Sequence, residues 1–146
     1  MTIREAGPGD LASLLALYTH LHDNPLPDIG DDLKALWSRI CADPNHHIIL
    51  GFEGGQAVSS CVLVVIDNLT NGQRPYALVE NVVTHAAYRM KGYASRVLEA
   101  AGNMAKSRGC YKIMLMTGSK EEATLNFYRR AGYNSADKTA FIRWLR

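Results

Sequence analysis

The chain has 146 residues, 47% of them apolar, and a formal net charge of +2 with neutral histidines. That length suits one domain with a single core, the charge is too weak to argue for nucleic acid, and the longest apolar run, residues 61–66, is far too short to span a bilayer. Cys41, Cys61 and Cys110 lie far apart with no C-x-x-C pair, and no apolar signal region opens the chain, which together predict reduced thiols in a cytoplasmic protein without a zinc site or disulfide framework.

Residues 2–5 read as a short strand, stopped by Gly7-Pro8-Gly9. Asp10 is the expected N-cap of a helix running through Leu11, Leu14, Leu15, Leu17, Tyr18 and Leu21. The stretch His22-Asp23-Asn24-Pro25-Leu26-Pro27-Asp28 breaks that helix as a loop. Its polar residues His22, Asp23 and Asn24 are candidates for lining an acceptor pocket. A second helix is expected from near Asp31, carrying Leu33, Leu36, Trp37 and Ile40 and ending by Asp43-Pro44. Residues 47–52 and 57–66 read as paired strands around a Gly54-Gly55 turn. His46 and His47 are adjacent on a strand and would point to opposite faces, so they make no metal pair. Residues 68–74 form a turn containing Asn71-Gly72.

Residues 76–108 organise the rest. Residues 77–84 are β-branched and apolar, which predicts a strand buried on both faces or nearly so. Ala94, Val97, Leu98, Ala101 and Ala105 recur at helical spacing, with Arg96, Glu99, Asn103 and Lys106 on the other side. Between strand and helix stands Arg89-Met90-Lys91-Gly92-Tyr93-Ala94. A helix start has main-chain N–H groups without partners and the positive end of the macrodipole. A phosphate accepts those bonds where no side chain blocks it, and Gly92 and Ala94 keep the approach open while Arg89 and Lys91 add charge at the rim. Such a turn is built for a polyanion such as a pyrophosphate. Gly109 then stops the helix. Residues 110–116 read as a strand parallel to the central one through the helix crossover. A helix over 121–130 ends at Gly132, and a last strand is expected between 136 and 145. The order of elements predicts a mixed α/β sheet.

Arg89-x-x-Gly92-x-Ala94 after an apolar strand resembles the acyl-CoA pyrophosphate loop of the Gcn5-related N-acetyltransferase (GNAT) family. Asn126, Phe127, Tyr128, Gly132 and Tyr133 are similar, residue by residue, to that family's second signature. Residues 79–83 and 109–115 resemble the glucosamine-6-phosphate N-acetyltransferases, with departures at Asn81 and over 117–121. The resemblance covers the whole chain and implies a sheet whose two central parallel strands splay apart to admit acetyl-CoA as co-substrate. It implies cofactor contacts from Val82, Val83, Thr84, Arg89, Met90, Lys91, Gly92, Tyr93, Ala94, Asn126, Tyr128 and Arg129, and no metal. Direct acetyl transfer to a primary amine needs a base, an oxyanion donor and an acid for the thiolate. Glu80 is the expected base beside the acceptor, with a pKa raised by burial. A main-chain N–H near Val82 or Val83 is the expected donor, and Tyr128 the acid. Amino sugar, polyamine, amino acid, aminoglycoside, peptide N-terminus and lysine all remain open as acceptors. A non-catalytic acyl-CoA-binding module is the competing reading, disfavoured by the presence of both Glu80 and Tyr128. Other nucleotide-binding folds are opposed by the absence of G-x-x-x-x-G-K-[ST] and G-x-G-x-x-G. Residues 141–145, Phe141-Ile142-Arg143-Trp144-Leu145, would form an apolar edge strand, which favours a homodimer that covers or exchanges it.

Overall fold

A computed structural model describes residues 1–22 and 24–146; the candidate pocket residue Asp23 lies outside them. Five strands make one sheet in sequence order. β1 (Thr2–Glu5), β2 (His46–Glu53), β3 (Gln56–Ile66) and β4 (Tyr76–Thr84) run antiparallel to their neighbours, and β5 (Ile113–Leu115) pairs parallel with β4. Among the described residues there are four α-helices: α1 (Leu11–Tyr18), α2 (Asp31–Ala42), α3 (Tyr93–Ser107) and α4 (Glu122–Arg130).

Strand alternation sends successive side chains to opposite faces and gives the sheet two apolar layers. On one face Ile49, Cys61, Leu63, Ala77 and Val79 pack against Val97, Leu98, Ala101 and Ala105 of α3. On the other, Leu50, Val62 and Val83 meet Leu14 and Leu17 of α1 and Trp37 of α2. Each fully buried aliphatic side chain contributes roughly 1.5–3 kcal/mol, so the two layers hold α3 and α1 against the sheet. The polar groups that enter this core are satisfied. Ser59 Oγ donates to the Val83 carbonyl at 3.0 Å, Ser60 Oγ to the Ile49 carbonyl at 2.8 Å, and Trp37 Nε1 to the Pro8 carbonyl at 3.0 Å.

Several expectations need correction. Asp10 stands at the N-cap position of α1 but makes no capping bond. Its carboxylate is taken up by both Arg4 guanidinium nitrogens, at 2.7 and 2.9 Å, and by the Gly7 N–H at 2.7 Å. Helix α1 ends at Tyr18 rather than Leu21, because Thr19 Oγ1 and the Asn24 amide donate to the carbonyls of Ala16 and Tyr18 and close it early. Strand β4 is not buried throughout: Glu80 and Asn81 are exposed, since the ladder on one side has ended before them. Strand β5 covers only three residues. Among the described residues there is no strand between 136 and 145. A three-residue β5 offers that segment little ladder within its own chain, and Phe141 (91%), Trp144 (67%) and Leu145 (89%) stand exposed instead.

Candidate active site

The site begins with an irregularity in β4. Val62 of β3 lies opposite Glu80, while Ser60 lies opposite Val83, so β4 carries one extra residue. Asn81 takes up the surplus in a left-handed conformation, φ 51°. Asn is one of the few residues that tolerates that region, so the bulge falls where the side chain permits it. Neither Asn81 nor Val82 has a partner in the ladder. On the other side, pairing with β5 runs only from Ala77↔Ile113 to Val79↔Leu115. The two parallel strands therefore part at Glu80, and a gap opens beyond their carboxyl ends, where open sheets place ligands.

A 3₁₀ turn (Ala86–Tyr88) leads from β4 to the start of α3. Met90 (φ 63°) and Gly92 (φ 82°, ψ 8°) are both left-handed, and Gly92 is the N-cap of α3 without any side-chain cap. Among the described residues, none of the main-chain N–H groups from Met90 to Ser95 finds an acceptor; the first bond into the helix runs from Arg96 N to Gly92 O at 3.2 Å. Alternating backbone conformations of this kind turn successive N–H groups toward one point and make an anion nest. A Cβ built on Gly92 would meet no atom within 4 Å. The space above the turn is open, and the left-handed backbone itself favours glycine. The residues fit a diphosphate.

Arg89 takes a different part from the rim cation expected. Its Nε donates to the Thr84 carbonyl at 3.2 Å and its Nη2 to the His20 carbonyl at 3.2 Å, so it staples the turn to β4 and to the end of α1. Lys91 pairs with no carboxylate among the described residues, and its Nζ stands 5.4 Å from the Tyr88 ring centre.

Tyr128 is carried by α4. With Phe127 it packs on the α3 face of the sheet, half-buried, and its hydroxyl makes no hydrogen bond among the described residues. Burial, then the neighbouring Cys61, pushes its phenol pKa above the ordinary 10. Glu80 lies in register with Val62 and so points to the α1/α2 face. The two expected catalytic groups thus stand on opposite sides of the sheet at the point where it opens. Glu80 is exposed, so the burial invoked for its carboxyl is absent. Val82 is half-buried and lacks a ladder partner, whereas Val83 and Thr84 are held opposite Ser60 and Ser59.

The remaining candidates are less well placed. Asn126 Oδ1 and Glu122 Oε1 both accept from Arg129 Nη1, at 2.8 and 2.7 Å, which turns Arg129 along its own helix and leaves the Asn126 Nδ2 without a partner among the described residues. His22 is exposed with φ 55°, and Asn24 is spent on closing α1. One residue went unnoticed in the sequence. The half-buried Tyr18 phenol is pushed up to about 12, mainly by burial, with the Asn81 side chain pulling the other way. It therefore sits against the bulge from the α1/α2 face. Its place in an apolar helix repeat carried no signal beyond that of a core tyrosine. Among the described residues no three metal-ligating side chains gather, and no helix is long and apolar enough to cross a membrane.

A mixed sheet whose parallel pair parts at a bulge thus stands beside a helix start with bare N–H groups. Residues 11–133 match the Acetyltransferase (GNAT) family, and the chain belongs to that family and is an acyltransferase. A solved Agrobacterium tumefaciens protein described as a candidate acetyltransferase is 36% identical, with 99% of this chain and 100% of that one covered at a TM-score of 0.91. A Bacillus halodurans protein solved as a transcriptional regulator is 26% identical over 98% of this chain and 99% of its own, with a TM-score of 0.86. A glucosamine 6-phosphate N-acetyltransferase of Trypanosoma brucei brucei is 26% identical over 94% of this chain and 92% of its own length.

Proposed function

We propose that residues 1–146 form one N-acetyltransferase domain that moves an acetyl group from acetyl-CoA to a primary amine of a small molecule. The row of unpartnered N–H groups from Met90 to Ser95 carries this reading. Met90, Lys91, Gly92, Tyr93 and Ala94 would hold the diphosphate, with the Lys91 charge beside it and Arg89 fixing the turn. Val82, Val83, Thr84 and the free amide of Asn126 would line the pantetheine arm, with Arg129 near its phosphate end. Bound there, acetyl-CoA supplies a thioester carbonyl and a sulfur that leaves readily.

This chain's residues do the rest. Glu80 accepts the proton of the incoming ammonium on the α1/α2 face. The amine nitrogen then bonds to the acyl carbon as the carbon–sulfur bond breaks, and the second proton it sheds in becoming an amide passes to solvent. The Val82 N–H, beside the bulge, would hold the carbonyl oxygen while charge develops on it. Tyr128 donates its hydroxyl proton to the sulfur from the α4 face, and solvent resets both groups. No metal is required. His22, Asp23 and Asn24 would border the acceptor, and the activity of the trypanosomal relative supports a small amine there. Release of free CoA thiol across a panel of amino sugars and their phosphates, polyamines, amino acids, aminoglycosides and lysine peptides tests the reading. Release with one class supports it. Tight acetyl-CoA binding without release from any would favour a binding module.

The same reading includes a cytoplasmic homodimer without nucleic-acid or membrane partners. Residues 133–146 make no ladder, and β5 is an open sheet edge. Exchange of the apolar tails between two copies would supply each edge with a strand. Sedimentation as a monomer at micromolar concentration would contradict the exchange.

A further inference from the structure

Two histidines sixty-five positions apart in the chain meet behind the anion turn. The rings of His20, just past α1, and His85, at the end of β4, lie 4.1 Å apart and tilted by 36°. Each spends its Nδ1 on a main-chain donor: His20 accepts from the Ala86 N–H at 3.3 Å, and His85 from the Ala87 N–H at 3.0 Å. An Nδ1 that accepts carries no proton, so both rings are neutral with the proton on Nε2. They hold the first two N–H groups of the 3₁₀ turn that delivers the chain to Arg89.

The rings continue as a ladder. Tyr88 meets His85 edge-on at 5.4 Å and Tyr93 at 5.8 Å. Tyr93, the first residue of α3, donates its hydroxyl to Glu53 Oε2 at 2.9 Å. Arg89 closes the other end by donating to the His20 carbonyl. The anion turn is thus suspended between α1 and the β2–β3 hairpin by four rings and a guanidinium. A cavity of about 370 Å³ beside His20, His85 and Gln56 gives the histidine edges access to water.

We propose that His20 and His85 are positioning residues for the diphosphate turn, a latch that holds it in its binding shape only while both rings are neutral. This inference rests on the reading of the Met90–Ser95 turn as the diphosphate site. A proton gained at either Nδ1 converts an acceptor into a donor facing another donor and places a cation against the second ring. The charged groups facing the pair deepen the effect. Among the described residues, Arg89 approaches from the turn, the hairpin offers neutral Gln56, α1 offers Ser13, Lys91 stands beyond Tyr88, and Glu53 bonds Tyr93. Burial, then His85 and Arg89, already holds the His20 pKa below its ordinary 6.5. A depressed histidine gives its stabilisation above the ordinary value and loses it as pH falls. The latch is therefore closed at neutral pH and opens on acidification.

The probe is dephospho-CoA, which keeps the diphosphate and lacks the phosphate monoester that titrates in the same range. Its dissociation constant from the full chain should rise roughly tenfold between about pH 7.5 and about pH 5.5. His20→Asn and His85→Asn keep an acceptor oxygen near the Nδ1 position and cannot titrate. Each should retain most of the neutral affinity and flatten the pH dependence, while His85→Ala should bind weakly throughout. Gly92→Glu is the control for the underlying site: normal binding by that variant at about pH 7.5 would remove the diphosphate reading itself. Weak binding by Gly92→Glu together with a wild-type pH slope in both Asn variants would overturn the latch alone. So would tighter wild-type binding in acid, which would make the rings anion ligands. The ring protons of the two histidines, followed by NMR in the wild type, give a test that needs no variant. Saturation with dephospho-CoA should lower both ring pKa values, and values that stay or rise would overturn the proposal.

Discussion

Val62 faces Glu80 across the β3–β4 ladder, and Ser60, two residues earlier, faces Val83 rather than Val82. The whole site depends on that single surplus residue. It turns Asn81 left-handed, leaves Val82 without a register partner and sets Glu80 at the end of the paired stretch.

Asn81→Gly should therefore leave stability within about 1 kcal/mol of the wild type, because glycine accepts the left-handed backbone. Asn81→Val should cost about 1–3 kcal/mol or force the bulge out. Acetyl transfer should fall with it, as the strand closes toward regular pairing. Urea denaturation and initial rates of CoA release check the pair. A valine variant as stable and active as the wild type would mean that the bulge is incidental.

Tyr128→Phe removes the phenol and keeps the packing against Phe127 and the α3 layer. The expected result is a fall in kcat of roughly 10²- to 10⁴-fold with KM for acetyl-CoA nearly unchanged. Burial raises the Tyr128 phenol, so its proton is retained beyond its ordinary 10. The wild-type rate should therefore show no alkaline decline from this group below that value. Any decline tied to Tyr128 should be absent from the Phe variant.

Glu80→Gln should lower kcat/KM by roughly 10²-fold near neutrality. The deficit should shrink as pH rises toward the pKa of the acceptor amine, since the amine then arrives without its proton. A deficit that is independent of pH would give Glu80 a role in binding rather than in proton removal.

The Arg4–Asp10 fork governs acid stability. The Asp10 carboxyl is held below the ordinary 3.8, first by its hydrogen bonds to Arg4 and also by the Gly7 N–H. A depressed carboxyl stabilises the fold above its ordinary value, and that contribution disappears as pH falls through the lowered one. Asp10→Ala should cost about 1–3 kcal/mol at neutral pH, through the orphaned Gly7 N–H and the freed Arg4. The difference from the wild type should vanish in strong acid, as read from denaturation midpoints over the acid range.

Much of this was legible in the residues. The Gly54-Gly55 turn and its flanking apolar runs locate β2 and β3 to within a residue or two, and the repeat from Ala94 to Ala105 locates α3. The junction between β4 and α3 was legible because Gly92 stops the irregular stretch just before the helical repeat begins. What escaped notice is non-local. Nothing near Asn81 announces a surplus residue, because a bulge is defined by the partner strand. The pairing of His20 with His85, and of Tyr18 with the bulge, depends on where α1 docks. Residues 136–145 show the opposite case, an apolar pattern read as a strand that forms none among the described residues. The Asp10 cap failed for a similar reason, since Arg4 on β1 competes for the carboxylate from outside the helix.

The most direct measurement follows main-chain amide resonances of the labelled protein as coenzyme A is added. The account predicts that the largest shifts fall on Met90 to Ser95, with a smaller set at Val82 and around Tyr128. Saturable binding that moved other amides and left Met90 to Ser95 in place would contradict it.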